Sequence, residues 1–245
     1  MKSFNRIKKI LETVEEVIDR YNFNDCTVAD IATDHGYLSE LLSRNEKISK
    51  IYATDISSKC LDKTDKLIKD FHLDKIETRQ GDGLTVIDRA DIVVMAGIGG
   101  YEIIKILSNQ NITKNNEKKC SIFVLQPTKN CVELRRWIIE NQFLVVKDKI
   151  IKSSGKFYPI IVIDESIIDG LEDNIFNVYF GRDNTNELDF VEYLKDVVQK
   201  LSFVEKIQEN KDKLSNEIIT KIQVYNLAKN LLKKFEGEWL CLTKF

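Results

Sequence analysis

Between residues 27 and 141, short apolar runs rich in β-branched residues alternate with stretches of helical spacing. The predicted strands are TVADIA (27–32), KIYATD (50–55), KIETRQ (75–80), DIVVMA (91–96) and SIFVLQ (121–126). The predicted helices between them cover 37–44, 57–71, 100–107 and 131–141. Strands that alternate with helices form parallel βαβ units, so the pattern predicts an α/β fold with a doubly wound, mostly parallel sheet.

The flanking segments extend this core. Apolar residues recur every three or four positions over 4–21, which predicts an amphipathic helix before the first strand. FLVVKDKII (143–151) and YPIIVID (158–164) are close enough in sequence to form an antiparallel hairpin at the sheet edge.

Beyond about residue 185 the pattern is purely helical. One apolar stripe runs from Leu188 to Ile207 and another from Ile218 to Leu232, with the polar segment QENKDKLSN between them. This predicts an antiparallel helical hairpin. We expect two domains, at 1–180 and 186–245, joined at a hinge in FGRDNTN (180–186).

Composition excludes several classes of protein. No apolar run approaches the ~20 residues needed to span a bilayer, and MKSFNRIKKI lacks the apolar core of a signal peptide. We therefore expect a cytoplasmic protein with no membrane partner. Five cysteines without a CxxC pair, beside only two histidines, argue against a disulfide framework and against a metal site.

The net charge of −2 excludes a basic surface over the whole molecule, so nucleic acid would need a local cationic patch. The first helix offers one candidate, with Lys2, Arg6, Lys8 and Lys9. The solvated start of an ordinary helix would carry the same residues.

Glycines and acidic residues gather where predicted strands end. Six of the ten glycines do so: Gly36, Gly81, Gly83, Gly97, Gly99 and Gly100. Asp30, Asp34, Asp55 and Asp82 lie at the same strand ends. In an open parallel sheet the ligand crevice lies outside the carboxyl ends of the strands, so these loops predict one shared crevice.

The loop after the first strand restricts the ligand. DIATDHG lacks the GxGxxG turn that places a pyrophosphate on a helix N-terminus, which disfavours a nicotinamide-dependent oxidoreductase. Its two carboxylates suit a cationic ligand that has a ribose and no phosphate. S-adenosylmethionine, a sulfonium, is such a ligand.

The motifs DIATDHGYL, ATDIS, RQGDGL, VVMAGIGG and VLQPTKN followed by LRRW resemble the bacterial tRNA adenine N1-methyltransferases that modify adenosine 22. The resemblance covers about residues 5–165 and continues more weakly through the C-terminal helices. It implies a Rossmann-like class I methyltransferase domain with a C-terminal coiled coil, S-adenosylmethionine as cofactor, and tRNA as substrate. We expect a monomer.

The resemblance also implies which residues hold the cofactor. They are Asp30, Ala32, Thr33, Asp34, His35, Asp55, Ile56, Gly81, Asp82, Gly83, Ala96, Gly97 and Gly99. Asp55 would hold the ribose, Asp82 the adenine edge, and Gly97 would face the methyl-transfer crevice. The family usually has glycine where Ala32 stands, often has glutamate where Asp55 stands, and commonly presents an arginine near the position of Ile10.

We expect Asp34 to be the catalytic residue, because the methylated adenine ring is cationic and a nearby carboxylate would stabilise that charge. An N-cap for the next helix is the alternative role for Asp34. Tyr37, Tyr101 and Tyr158 are candidates for stacking on the target base, and each is also a candidate for ordinary packing.

The tRNA body needs a second contact surface, for which we expect the basic first helix and the C-terminal helices. Lys129, Arg135 and Arg136 would add cations beside the crevice. Three alternatives stay open: a methyltransferase for another RNA, a methyltransferase for a small molecule, and a non-catalytic RNA-binding protein that retains a degenerate cofactor fold.

Overall fold

Seven strands form one mixed sheet in this computed structural model, which describes residues 4–109, 122–168, 170–184, 188–208 and 214–242. The strands are β1 (Cys26–Ile31), β2 (Ile48–Asp55), β3 (Ile76–Gln80), β4 (Ile92–Ala96), β5 (Ile122–Gln126), β6 (Phe143–Ser153) and β7 (Lys156–Ile168). Their order is β3-β2-β1-β4-β5-β7-β6. The first five strands are parallel, and β7 pairs antiparallel with both β5 and β6. The doubly wound sheet and its edge hairpin are therefore confirmed.

The helices follow the predicted alternation closely. They are α1 (Phe4–Arg20), α2 (Tyr37–Ser43), α3 (Ser58–Phe71), α4 (Gly100–Ser108), α5 (Cys131–Glu140), α6 (Ile175–Phe180), α7 (Leu188–Leu201), α8 (Val204–Gln208) and α9 (Asn216–Leu242). The sequence pattern did not predict α6 or the 3₁₀ turn at Gly83–Val86. The stripe predicted from Leu188 to Ile207 is broken, because α7 ends at Leu201 and α8 begins at Val204.

Both faces of the sheet are covered, and this explains why the central strands are almost continuously apolar. On one face α1 and α2 bury Ile10 and Leu42 against Val28. On the other face α4 and α5 bury Ile103 and Leu134. The carboxyl ends of the parallel strands stay uncovered by these layers, and their loops are free to form a site.

A third apolar cluster joins the C-terminal helices to the edge hairpin. Phe190 of α7 and Val224 of α9 pack with Phe180 of α6 and Ile150 of β6. The preceding segment is also bonded to β6, since the Ile150 N–H donates to Asn184 Oδ1 at 2.7 Å. Contacts of this kind hold the helices on the sheet edge. The coiled coil and the division at 180/186 stay predictions.

Candidate active site

The candidate site lies at the point where the strand order reverses. β1 lies between β2 and β4. The sheet therefore extends from β1 toward β3 on one side and toward β5 on the other. Such a switch point opens a crevice at the carboxyl ends of the strands. A cavity of about 610 Å³ occupies this place. The predicted cofactor residues that line it are Asp30, Ala32, Thr33, Asp34, His35, Asp55, Ala96 and Gly97.

Asp30 ends β1 as a buried carboxylate that fixes the following loop. Its Oδ2 accepts hydrogen bonds from Thr33 Oγ1 at 2.8 Å and from Ser39 Oγ at 2.7 Å. Burial raises the pKa of Asp30, and the two hydroxyl donors oppose that rise. The carboxylate of Asp30 therefore fixes the loop that follows it. A cationic ligand would balance the negative charge of the cavity.

The loop backbone is held in unusual conformations. Ala32 and Asp34 have positive φ angles of 61° and 49°, which non-glycine residues seldom adopt. Gly36 has φ 70° and would place a β-carbon 2.7 Å from Thr64 Cγ2, so this position requires glycine. The family usually has glycine where Ala32 stands. Alanine has a structural cost at this position, because it places a β-carbon on a left-handed backbone.

Asp34 stands at the cavity edge inside a polar network. His35 Nδ1 lies 2.6 Å from Asp34 Oδ2, and Lys63 Nζ lies 3.7 Å from Asp34 Oδ1. The Cys60 thiol donates to the same Oδ1 at 3.5 Å. These partners orient the carboxylate, whose side chain nevertheless keeps 61% of its surface exposed and so can face a ligand.

An aromatic pair borders the same edge. The rings of His35 and Tyr37 stack at 5.5 Å with planes 12° apart, and Tyr37 is half exposed and lines the cavity. Tyr101 is exposed on α4, outside the cavity lining, and Tyr158 packs against the apolar core. Of the three stacking candidates, Tyr37 has the most suitable position.

The loops after β2 and β3 lie beside each other. Asp55 Oδ1 accepts from the Ser57 N–H at 2.7 Å, and the Asp55 carbonyl accepts from the Gly81 N–H at 3.0 Å. The Gln80 amide donates to the Ile56 carbonyl at 3.2 Å. Through these bonds the segment Gly81–Gly83 continues the site outward from Asp55, although neither it nor Ile56 lines the cavity itself.

The loop after β4 contributes backbone. The Gly97 N–H donates to the Gln126 carbonyl at 3.1 Å, and the Thr128 N–H donates to the Ile98 carbonyl at 2.8 Å, which joins the loops after β4 and β5. Gly97 lines the cavity, whereas Gly99 lies outside the lining and under Lys129.

The cations expected beside the crevice are distributed differently. Lys129 lies over Gly99, outside the cavity lining, with its Nζ 3.8 Å from Glu102 Oε1. Arg135, by contrast, is buried on the inner face of α5 and bonded to Asp148, so the prediction that it adds a cation beside the crevice is wrong. Arg136 is exposed in a groove formed with α6 and α9, away from the residues that line the cavity.

Helix α1 supplies cavity residues that the sequence did not assign to the cofactor. Arg6, Ile7 and Ile10 line the cavity, as do Cys60 of α3 and Leu38 of α2. The sequence signal that could have placed Arg6 and Ile10 together is their spacing. Residues four positions apart lie one turn apart on the same face of a helix.

Within the ranges that the structure describes, no helix is long and apolar enough to cross a membrane. The same residues contain no cluster of three histidine, cysteine or acidic side chains arranged to hold a metal ion.

Comparisons with known proteins agree on a methyltransferase. The family described as Methyltransferase domain matches residues 5–161. The tRNA (adenine(22)-N(1))-methyltransferase of Bacillus subtilis (strain 168) is 27% identical over 227 residues, which cover 85% of this chain and 91% of that protein.

Solved structures agree on the fold. The B. subtilis M1A22 tRNA methyltransferase TrmK has a TM-score of 0.70 at 24% identity, covering 94% of this chain and 97% of that one. M. capricolum TrmK, solved with S-adenosyl-homocysteine, has a TM-score of 0.68 at 24% identity, covering 94% and 96%. At these identities the likeness concerns the fold.

Proposed function

The chain belongs to the methyltransferase domain family, and from that premise we propose that it transfers a methyl group from S-adenosylmethionine to N1 of adenosine 22 in tRNA. The observation that carries the cofactor is the cavity at the β1/β4 switch point, with three aspartates in its lining. The acceptor is supported by the B. subtilis relative, which aligns over nearly its whole length.

The residues around the cavity fit the parts of this cofactor. Asp55, at the end of β2, suits the two ribose hydroxyls, with Ile56 and the Gly81–Gly83 segment, including Asp82, along the adenine. The loop from Asp30 through Ala32, Thr33, Asp34 and His35 takes the methionine end. Ala96, Gly97 and Gly99 would border the methyl group when the cofactor is bound.

S-adenosylmethionine supplies an electrophilic methyl group, so the new C–N1 bond forms while the C–S bond breaks and its electron pair stays on sulfur. The chain's own task is to hold N1 in line, exclude water and stabilise the charge that develops on adenine. N1 carries a free lone pair at neutral pH, so no general base is needed. Positioning of this kind contributes up to roughly 7–11 kcal/mol in favourable cases.

Asp34 has the placement for the electrostatic part of this task. Its carboxylate is oriented by His35 and Lys63 and remains open to the cavity edge. As adenine becomes cationic, a fixed carboxylate beside it stabilises the developing charge. The same oxygen atoms can accept from the exocyclic amine, which would select adenine over guanine. Tyr37, stacked on His35, offers the extruded base an aromatic face.

The tRNA body requires contacts beyond the cavity. Lys8 on α1 and Arg136 in the groove beside α9 are exposed cations, and Lys129 lies next to the crevice. We assign the grip on tRNA to these cations with the C-terminal helices. We further propose that the enzyme acts as a monomer and in the cytoplasm.

The experiment that tests the proposal measures incorporation of labelled methyl from S-adenosylmethionine into unmodified tRNA transcripts. Two transcripts that differ only by A or G at position 22 are compared, and the products are digested for nucleoside analysis. The proposal expects 1-methyladenosine in the A22 transcript alone.

Two results would contradict parts of it. Equal incorporation into both transcripts would move the modified position elsewhere. Cofactor binding without incorporation into either would leave the fold and cavity in place and favour another acceptor or a binding protein.

A further inference from the structure

The segment 81–88, which carries Asp82, follows an edge strand. In the described sheet β3 is the outermost strand on its side, with β2 as its neighbour. The chain leaves β3 and forms the 3₁₀ turn at Gly83–Val86 before it reaches β4. An edge strand leaves one row of its backbone groups unpaired, so side chains must supply more of the support for the segment that follows.

Arg79, the last residue but one of β3, connects the strand to this segment. Its Nη1 donates to the Val86 carbonyl at 2.9 Å, and its Nη2 donates to Asp88 Oδ2 at 3.0 Å. Its Nε donates to Glu77 Oε1, on the same strand, at 2.6 Å. All three guanidinium nitrogens are therefore engaged, two with the segment after β3 and one with β3 itself.

Tyr52 of β2 fixes the orientation of this guanidinium. The guanidinium carbon of Arg79 lies 4.2 Å from the centre of the Tyr52 ring, a cation–π contact. The Tyr52 hydroxyl donates to Asp88 Oδ2 at 3.4 Å, and the ring is almost fully buried in the core. An arginine that stacks on a buried ring and donates from three nitrogens has one preferred orientation, which a lysine cannot reproduce.

The contacts of Arg79 reach Asp82 through the 3₁₀ turn. A β-carbon on Gly81 would overlap Val86 Cγ1, so Val86 packs directly on the residue before Asp82. Thr85 binds the Asp82 carbonyl twice, from its Oγ1 at 2.8 Å and from its N–H at 3.2 Å. Holding the Val86 carbonyl therefore holds the backbone on both sides of Asp82.

We propose that Arg79 is a positioning residue that sets how the Asp82 carboxylate meets the adenine of S-adenosylmethionine. This inference rests on the cofactor part of the proposed function, in which Asp82 borders the adenine, and not on the tRNA acceptor. A carboxylate accepts a hydrogen bond from the exocyclic amine of adenine and repels the oxygen that replaces this amine in hypoxanthine. Discrimination between the two bases therefore reports the placement of Asp82.

The test uses isothermal titration calorimetry of the full-length chain with S-adenosylhomocysteine and S-inosylhomocysteine. These ligands share the ribose and the amino-acid portion and differ in the base alone. Wild type should prefer the adenine ligand about tenfold or more, because a hydrogen bond to a charged group is gained or lost. In Arg79→Ala the preference should fall below about threefold. Arg79→Lys should lie between, because it keeps the charge and loses the planar donors.

Lys50→Ala is the matched control. Lys50 belongs to the same cluster, with its Nζ 2.8 Å from Glu77 Oε2 and 4.5 Å from the centre of the Tyr52 ring. These contacts are with β2 and β3, so the adenine preference should keep its wild-type value.

Asp88→Ala is a second variant that reports on the same contact. The Asp88 side chain is 79% exposed, so its removal leaves the core intact while Arg79 loses one of its two bonds to the segment. The adenine preference should fall here as well. Thermal melts of each variant establish that the protein is folded during the titration.

Several results would overturn the proposal. One is an adenine preference that survives in both Arg79→Ala and Asp88→Ala, even if both affinities fall equally, since Arg79 would then have a structural role alone. Another is an equal loss of preference in Lys50→Ala, which would assign the effect to the charge of the whole cluster. A wild type without any preference would separate Asp82 from the adenine.

The same titrations distinguish this inference from the proposed function. A wild-type chain that binds neither ligand would overturn the cofactor part of the proposed function and this inference with it. A chain that binds both ligands with the expected preference but methylates no tRNA fails only in the proposed acceptor, and the variants still decide the role of Arg79.

Discussion

Arg135 donates to both carboxylate oxygens of Asp148, with Nε–Oδ2 and Nη2–Oδ1 distances of 2.7 Å. Both side chains are almost fully buried, between α5, β6 and the segment that follows α6. Arg135 Nη1 also donates to the Val178 carbonyl at 3.2 Å. Burial raises the pKa of Asp148 against the attraction of Arg135. This pair holds the junction between the sheet edge and the C-terminal helices.

Arg135→Ala should lower the free energy of unfolding by about 3–5 kcal/mol, because it leaves Asp148 buried without its cation. Arg136→Ala is the control, since the neighbouring arginine is exposed, and it should change the free energy by less than about 0.5 kcal/mol. Urea denaturation measures both. Equal stability of the two variants would show that the buried pair contributes little.

Ala32→Gly should stabilise the protein. A left-handed conformation costs a non-glycine residue roughly 1–2 kcal/mol, and the greater freedom of glycine in the unfolded chain offsets about half of the gain. We expect a net increase of about 0.5–1 kcal/mol in the free energy of unfolding. Ala29→Gly, within β1, should destabilise instead, because it removes a buried methyl group from a regular strand. A loss of stability in Ala32→Gly would show that the alanine conformation carries no strain.

Asp30→Asn should change the pH dependence of stability. Burial holds the pKa of Asp30 above the usual 3.8, so its contribution to stability is present below that value and is lost as the pH rises through the higher folded-state pKa. The asparagine variant does not titrate at this position and so does not lose stability in this way. The free energy of unfolding of the variant minus that of wild type should therefore be higher at pH 7 than at pH 4. Urea denaturation at both pH values measures this difference. A difference that is the same at both pH values would mean that the pKa of Asp30 is not raised.

Asp34→Asn should reduce turnover of tRNA by about 100-fold, since the amide keeps the shape and removes the charge that stabilises the methylated ring. Affinity for S-adenosylmethionine should stay within severalfold. Single-turnover methylation and calorimetry measure the two quantities. Asp62→Asn, on the exposed face of α3, is the control and should alter neither. Unchanged turnover in Asp34→Asn would remove this residue from the mechanism.

Tyr37→Ala should raise the KM for tRNA, because stacking of a base on an aromatic ring contributes about 1–3 kcal/mol. Tyr37→Phe keeps the ring and should stay near wild type. Tyr101→Ala tests an equally exposed tyrosine outside the cavity lining and should have little effect. Steady-state kinetics with A22 transcripts give the three values. If the alanine variants at 37 and 101 behave alike, Tyr37 does not receive the base.

The sequence predicted most of the fold because its signals are local. The runs at 91–96 and 121–126 are apolar on both sides, as strands covered by helices on both faces must be. It did not predict the short helix α6, which has only six residues and too few turns to show a helical period. It also gave no signal for the end of α7, because Leu201 and Val204 continue the apolar stripe across the break.

The candidate site was predictable where it depends on strand ends. Asp30, Asp34, Asp55 and Gly97 come together because parallel strands point their carboxyl ends to one edge. Arg135 and Arg136 could not be told apart in this way. They are adjacent in sequence, and which one is buried depends on the position of Asp148 on another element.

The sequence by itself therefore determined the alternation of strands and helices and the loops that form the crevice, since hydrophobic period and glycine placement act within a few residues. Only the tertiary structure decided that Arg6 meets Tyr158 over Gly97 and that Arg135 is buried against Asp148. These contacts join residues on elements distant in the chain, and packing in three dimensions decides which of their side chains meet.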